Sequence, residues 1–179
     1  MKNIITQSKK FFKEDKKGKT RAFFINNKNR KIDKRMLNDM VKLTKKSRSS
    51  IRLCLHKSTD DIHHSMIIID YKNNFSKPHF HLKTTETHQT IMGKLGVIIF
   101  SKKGKIIKKY VLDKKNNFLD RLKKGECHIL LPISNYVIYH ETNNGKFNRK
   151  NPDMFFPKWF EKLDLHQRKN FYKNLYKIF

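Results

Sequence analysis

The sequence predicts a mainly β protein: a small barrel or sandwich of short strands, with one amphipathic helix ahead of it and one behind. Three observations carry that expectation. Short apolar runs recur between residues 51 and 141, several alternating with period two, and turn residues separate them. Residues 31–46 instead place Ile32, Met36, Leu37, Met40 and Leu43 at helical spacing. Residues 164–179 do the same with Phe171, Leu175 and Ile178. A length of 179 residues suits one domain with modest extensions.

Residues 1–30 are rich in Lys and Asn, with aromatic pairs at Phe11–Phe12 and Phe23–Phe24, and read as a basic extension that is partly ordered at best. The main domain then runs over 31–160 with its leading helix, and 161–179 form a closing helix. "IRLCLH" at 51–56 is the first expected strand. Side chains alternate along a strand, so Ile51, Leu53 and Leu55 share one face and Arg52, Cys54 and His56 the other. Further strands are expected at 65–70, 76–81, 91–100, 105–112, 127–133 and 135–141. Turn signals at 72–74, 102–104, 114–117 and 143–145 separate them. "IIFSKKGKII" reads as a hairpin. Asp164 and Gln167 have the spacing of a capping box, and the apolar stripe behind them is expected to dock on the barrel.

Composition narrows the class. No apolar run approaches the ~18 residues of a membrane helix, and the N-terminal stretch lacks a signal peptide's apolar block. Cys54 and Cys127 form no CxxC pair and read as reduced residues, so a cytoplasmic protein is expected. The 42 basic and 15 acidic residues leave a net charge of +27, a field that attracts polyanions. The charge is spread along the whole chain, however. Abundant Lys, Asn, Ile and Phe are also what an AT-rich genome produces without selection for a partner. Nucleic acid is therefore admitted but not favoured, and no zinc-finger, RNP or helix-turn-helix signature accompanies the charge.

"SKPHFHLKTTETHQTIMG" is where the residue types suit chemistry. His79 and His81 are separated by one residue, so on a strand both imidazoles point the same way and can reach one ion. Glu86 arrives after a turn as a third ligand, and His128, close behind Gly125, is the fourth candidate. Two or three imidazoles with one carboxylate suit Fe, Mn, Zn or Ni, with positions open for a substrate. The competing reading is a polar strand face with spare histidines.

His88 lies two residues beyond Glu86 and reads as a bystander, a partner to a ligand or a proton shuttle. Cys127 points away from His128 and reads as core. His63–His64, after Asp60–Asp61, read as surface. His140–Glu141 read as a solvated strand end, and His166 as a structural residue of a first helical turn. Arg52 and His56 either look into the barrel, where Arg52 would clamp a carboxylate or phosphate, or are solvated.

The spacing His79–x–His81, four residues, Glu86, six residues, Gly93 resembles the first motif of the cupin superfamily, and Gly125 with His128 resembles the centre of the second. Asn73 and Asn117 stand where each motif would open on Gly; Asn is the residue that best tolerates the same left-handed backbone. Lys123 and Pro132 also depart from the second motif, though not at ligand positions. "SRSSIRLCLHKSTDDIHHSMIII", "PHFH", "GKLGVIIFSKKGKII" and "HETNNGKFNRKNPDMFFPKWF" narrow the resemblance to the WbuC family of cupin-fold metalloproteins, over about residues 32–160. The resemblance implies a cupin barrel (double-stranded β-helix, or jelly roll) with flanking helices. It implies one divalent transition metal on His79, His81, Glu86 and His128, and substrate-binding roles for Arg52 and His56. It places the protein among bacterial surface-polysaccharide (O-antigen, lipopolysaccharide) biosynthesis proteins but brings no substrate. The open metal site and the basic charge then suggest an anionic sugar or sugar nucleotide, with isomerase- or epimerase-like chemistry if the protein is an enzyme. The resemblance also admits a homodimer. The alternatives are a non-catalytic metal- or saccharide-binding cupin, an Fe(II) dioxygenase, and a basic nucleic-acid-binding barrel. No catalytic residue is assigned from the sequence.

Overall fold

A computed structural model describes residues 12–15, 20–25, 31–47, 49–148, 150 and 152–179. Most of the expected basic extension, including Phe11, lies outside these residues. The strands form two facing sheets. The larger has seven strands: β1 (Phe12–Asp15), β2 (Arg21–Ile25), β3 (Ile51–Cys54), β4 (His63–Tyr71), β10 (Tyr136–Asn144), β5 (Glu86–Met92) and β8 (Leu119–Leu122), in that spatial order. The smaller has β7 (Ile106–Asp113), β6 (Lys94–Phe100) and β9 (Cys127–Pro132). All pairings are antiparallel except β2 with β3.

Three apolar clusters follow from strand alternation. Cys54, Met66, Ile68, Leu95, Val97, Leu130, Val137 and Tyr139 fill the space between the sheets. Ile51, Leu53, Ile67 and Ile69 face the other way and pack on helix α1 (Lys34–Ser47) through Leu37, Met40 and Val41. The Asp33 carboxylate accepts the Met36 N–H at the start of that helix, 2.8 Å away. Behind the smaller sheet, Ile98, Phe100, Ile129 and Leu131 pack on α2 (Lys158–Glu161) and α3 (Leu165–Lys177) through Phe160, Tyr172 and Leu175. The capping box of Asp164 and Gln167 forms as the spacing predicts, and the α3 stripe docks on the sheet.

Two expected strands are corrected, and three strands join those expected. Residues 91–100 are not one strand: Gly93, at φ +85°, turns the corner from one sheet to the other. A Cβ there would lie 2.5 Å from the Tyr136 carbonyl oxygen, so this corner needs glycine. Residues 76–81 are extended but paired only by single bridges, His79 with His128 and Phe80 with Phe155. Leu119–Leu122 pairs with β5 although its sequence, "LDRL", shows little alternation. The leading segment contributes β1 and β2, which extend the larger sheet, with Phe12 and Phe23 buried against α1.

Candidate metal centre

The face of the larger sheet that looks into the barrel holds the candidate site. Packing of Ile51 and Leu53 under α1 turns Arg52, Cys54 and His56 inward. Along β4 the same parity turns His64, Met66 and Ile68 inward; along β5, Glu86, His88 and Thr90; along β10, Tyr139 and Glu141. From the opposite sheet, Ile99 pairs with His128, which is 2% exposed.

Three of the expected ligands, His79, His81 and Glu86, place ligand atoms within 4.8 Å of one another, a group that could hold a metal ion. His128 joins them through the second oxygen of Glu86. His81 Nε2 is 3.2 Å from Glu86 Oε1, and His128 Nε2 is 3.1 Å from Oε2. The other ring nitrogen of each histidine faces a carbonyl: His79 Nδ1 faces Lys77 O and His128 Nδ1 faces Glu126 O, both at 2.9 Å, and His81 Nδ1 faces Asp153 O. A carbonyl only accepts, so each Nδ1 carries the proton and each Nε2 is left to the interior. His81 Nε2 and His128 Nε2 are buried without a hydrogen-bond partner. Three imidazoles turned inward around one carboxylate, two of them with orphaned buried nitrogens, fit a divalent transition metal.

Burial and the central carboxylate set the electrostatics of these groups. Burial pushes the His79 pKa down to about 3, helped by the neighbouring His128, so this ring is neutral and ready to ligate. Burial alone would raise Glu86, but the His128 and His81 rings that face its two oxygens hold it well below the usual carboxylate range. Burial also works against the charged form of His81; the facing Glu86 carboxylate prevails and raises it.

Two backbone positions bear on the motifs. Asn73 is left-handed at φ 72°, as its place in the first motif requires, and it is the one non-glycine residue with positive φ among those described. Asn117 is therefore not left-handed. Gly125, at φ 78°, donates its N–H to His81 O at 2.7 Å and so ties the two motifs together.

A second polar group lies beside the centre. His88 is fully buried, not a strand-surface histidine. Its Nδ1 is 3.0 Å from Asp120 Oδ1, whose other oxygen accepts the Tyr110 hydroxyl at 2.8 Å. Its Nε2 faces Glu141 Oε2 at 3.7 Å. Glu141, expected at a solvated strand end, is 8% exposed and points inward; burial, then the charge of Glu86, raises its pKa. His64, expected on the surface, is buried and stacks on His56 at 4.3 Å, and its Nε2 has no partner. His56 is anchored through Nδ1 to the backbone of Ser65, and Arg52 acts by charge on Cys54, Glu141 and Tyr139. Cys127 is core, as expected.

The fold is a cupin barrel, a double-stranded β-helix with a helix on either side. The chain shares its fold with CapF. CapF from Staphylococcus aureus, a capsular polysaccharide assembling protein, matches with a TM-score of 0.51 at 16% identity, over 60% of this chain and 31% of CapF. CapF bound to an inhibitor matches with a TM-score of 0.50 at 17% identity, over the same 60% and 31%. The chain therefore spans about a third of CapF's length. An uncharacterized Klebsiella pneumoniae protein with a double-stranded β-helix domain matches at 14% identity over 61% of this chain and 80% of its own, with a TM-score of 0.46. Residues 32–112 match a family model described as a domain of unknown function (DUF6016). No curated protein matches the sequence. No helix among the described residues is long and apolar enough to cross a membrane.

Proposed function

We propose that this protein is a metal-dependent cupin acting on a sugar or sugar nucleotide in bacterial surface-polysaccharide synthesis, with a divalent ion on His79, His81, Glu86 and His128. The observation that carries the metal reading is the common tautomer of the three histidines, each Nδ1–H spent on a carbonyl and each Nε2 left for the interior. The sugar reading rests on the WbuC-like motifs. CapF, named for capsular polysaccharide assembly, belongs to the same field of chemistry and sets the first compounds to test.

When bound, the ion would polarise a carbonyl or hydroxyl as a Lewis acid. The chain's own groups supply proton handling beside it. Asp120, itself held by Tyr110, fixes the His88 ring with Nε2 toward Glu141. Burial raises the Glu141 pKa, and its carboxyl faces His88, so the pair can give a proton to a ligand hydroxyl or take one from it. Isomerisation or epimerisation needs such a two-way pair.

The test is elemental analysis of the purified protein, followed by a thermal-shift screen with sugar nucleotides, since a ligand of the folded state raises its apparent stability. One equivalent of metal, lost in His79→Ala and His128→Ala, is expected. Folded variants that match a metal-free wild type would refute the reading. A sugar nucleotide that binds without turnover would make the same site a non-catalytic saccharide-binding cupin.

A further inference from the structure

We infer that Asp153 is a positioning residue of the metal centre, and that the segment around it is a strap whose docking and metal binding favour each other. The inference rests on the metal reading above. Asp153 is engaged at both its backbone and its side chain. Its carbonyl accepts the Nδ1–H of His81, 72 residues away in sequence. Its carboxylate accepts the backbone N–H groups of Leu82, Lys83 and Thr84 at 3.1, 2.8 and 3.0 Å, and the Thr84 hydroxyl at 3.2 Å. Two residues further on, Phe155 and Phe80 exchange N–H···O=C bonds of 3.0 Å, and their rings stack. The strap thus grips the chain on both sides of His81. Beyond it, Trp159 and Phe160 anchor the segment in the cluster behind the smaller sheet.

The loop that the carboxylate holds connects two of the ligands, His81 and Glu86. It belongs to no strand. Three successive backbone N–H groups therefore depend on one acidic side chain for their partners. With Asp153 in place, the His81 ring has one tautomer and one direction, and its distance to Glu86 is set. Losing such an outer partner of a metal-binding histidine lowers metal affinity about 10- to 100-fold. A bound ion holds His81 in return, so by linkage it favours the docked strap by the same factor.

The experiment is titration of Co2+ into the metal-free full chain, for wild type, Asp153→Ala, Asp153→Asn and Thr84→Val, reading Kd and the visible absorption band of the bound ion. Asn is informative because its NH2 group would face backbone donors. Both Asp153 variants keep the carbonyl that His81 faces but release the loop that aims it, and are expected to raise Kd about 10-fold, the low end of that range, and to change the band. Far-UV circular dichroism and Trp159 fluorescence of the metal-free protein should stay unchanged. Thr84→Val removes one of the four carboxylate bonds and should shift Kd less than either. In wild type, Co2+ should slow hydrogen exchange at the Leu82, Lys83 and Thr84 amides. An Asp153→Asn protein with Kd within twofold of wild type and an unaltered band overturns the inference while leaving the metal reading intact. Should the Asp153 variants fail to fold, the exchange measurement decides, and no added protection at those three amides overturns it. A wild type that takes up no Co2+ overturns both.

Discussion

Glu86→Gln is the most direct perturbation of the centre, because it keeps the shape of the side chain and removes one charge. Each oxygen of Glu86 faces a different histidine, at 3.2 and 3.1 Å, and the residue is 6% exposed. It is the single carboxylate of the proposed ligand set, so with a divalent ion bound it would supply the one charged ligand. Leaving one member of a buried charge pair uncompensated costs about 3–5 kcal/mol. At 1.4 kcal/mol per decade, Kd for Zn2+ should weaken about 100- to 3,000-fold. The effect shows in thermal shifts as well. At a free Zn2+ concentration of about 100 times the wild-type Kd, binding adds about 2.7 kcal/mol, worth roughly 5–11 °C for a chain of this size. A variant weakened 100-fold gains only about 0.4 kcal/mol there, roughly 1–2 °C. The assay is a Zn2+ competition titration alongside melting with and without the ion, with circular dichroism to show that the variant is folded. A Glu86→Gln protein that binds Zn2+ within tenfold of wild type would refute the ligand assignment.

Gly93→Ala should lose at least about 2 kcal/mol in urea unfolding, since it combines strain at φ +85° with a Cβ 2.5 Å from Tyr136 O; a loss below about 0.5 kcal/mol would show that the corner has room. Phe160→Ala should cost about 3–5 kcal/mol by the same measurement, because the ring is fully buried among Trp159, Phe171 and Tyr172, and a loss near zero would mean that the helices behind the smaller sheet are not docked. Asp70 tests the pH dependence. Burial raises its pKa, so its charged form is penalised in the folded state and the protein loses stability as pH rises through the folded value, above 3.8. Ser50, Tyr71 and Asn74 all donate to Oδ1 alone, an atom that Asn retains. Asp70→Asn should therefore melt increasingly above wild type as pH rises from 4 to 7, and a gap that stays constant across that range would refute the account.

What was legible in the sequence followed from parity along the chain. His79 and His81 read correctly as neighbours on one side, with Phe80 turned to the opposite cluster, although residues 76–81 form only single bridges. Extended backbone preserves the alternation that a strand would have. The stripes of α1 and α3 rest on the same rule; the face of Arg52, which the sequence left open between barrel and solvent, follows only once Ile51 and Leu53 are seen under α1. Parity also held the answer for His64, which shares the face of Met66 and Ile68; the acidic residues before it drew it toward the surface instead. Glu141 follows from Tyr139 in the same way. Asp120 and Asp153 could not be read locally. Asp120 meets His88 through the register of β5 on β8, and Asp153 reaches His81 across 72 residues; neither register is written in the spacing of either segment.

The charge of the chain and the charge of the site point in opposite directions, and this constrains the ligand. The chain as a whole carries +27, and lysines such as Lys102, Lys103, Lys108 and Lys109 are exposed on one hairpin. Inside stand Glu86, Asp120 and Glu141, with a neutral His79. An anion drawn in by the outer field meets the Glu86 carboxylate at the centre, so a divalent ion held there would favour a phosphate or uronate beside the inward-turned Arg52. Surface lysines need no such help, and attraction to them fades as salt screens it, over ~8 Å at physiological ionic strength. A sugar nucleotide whose binding vanishes with chelator but survives moderate salt is bound at the metal. One that ignores chelator and is displaced by salt is held by the lysine surface, where nucleic acid would compete for the same charge.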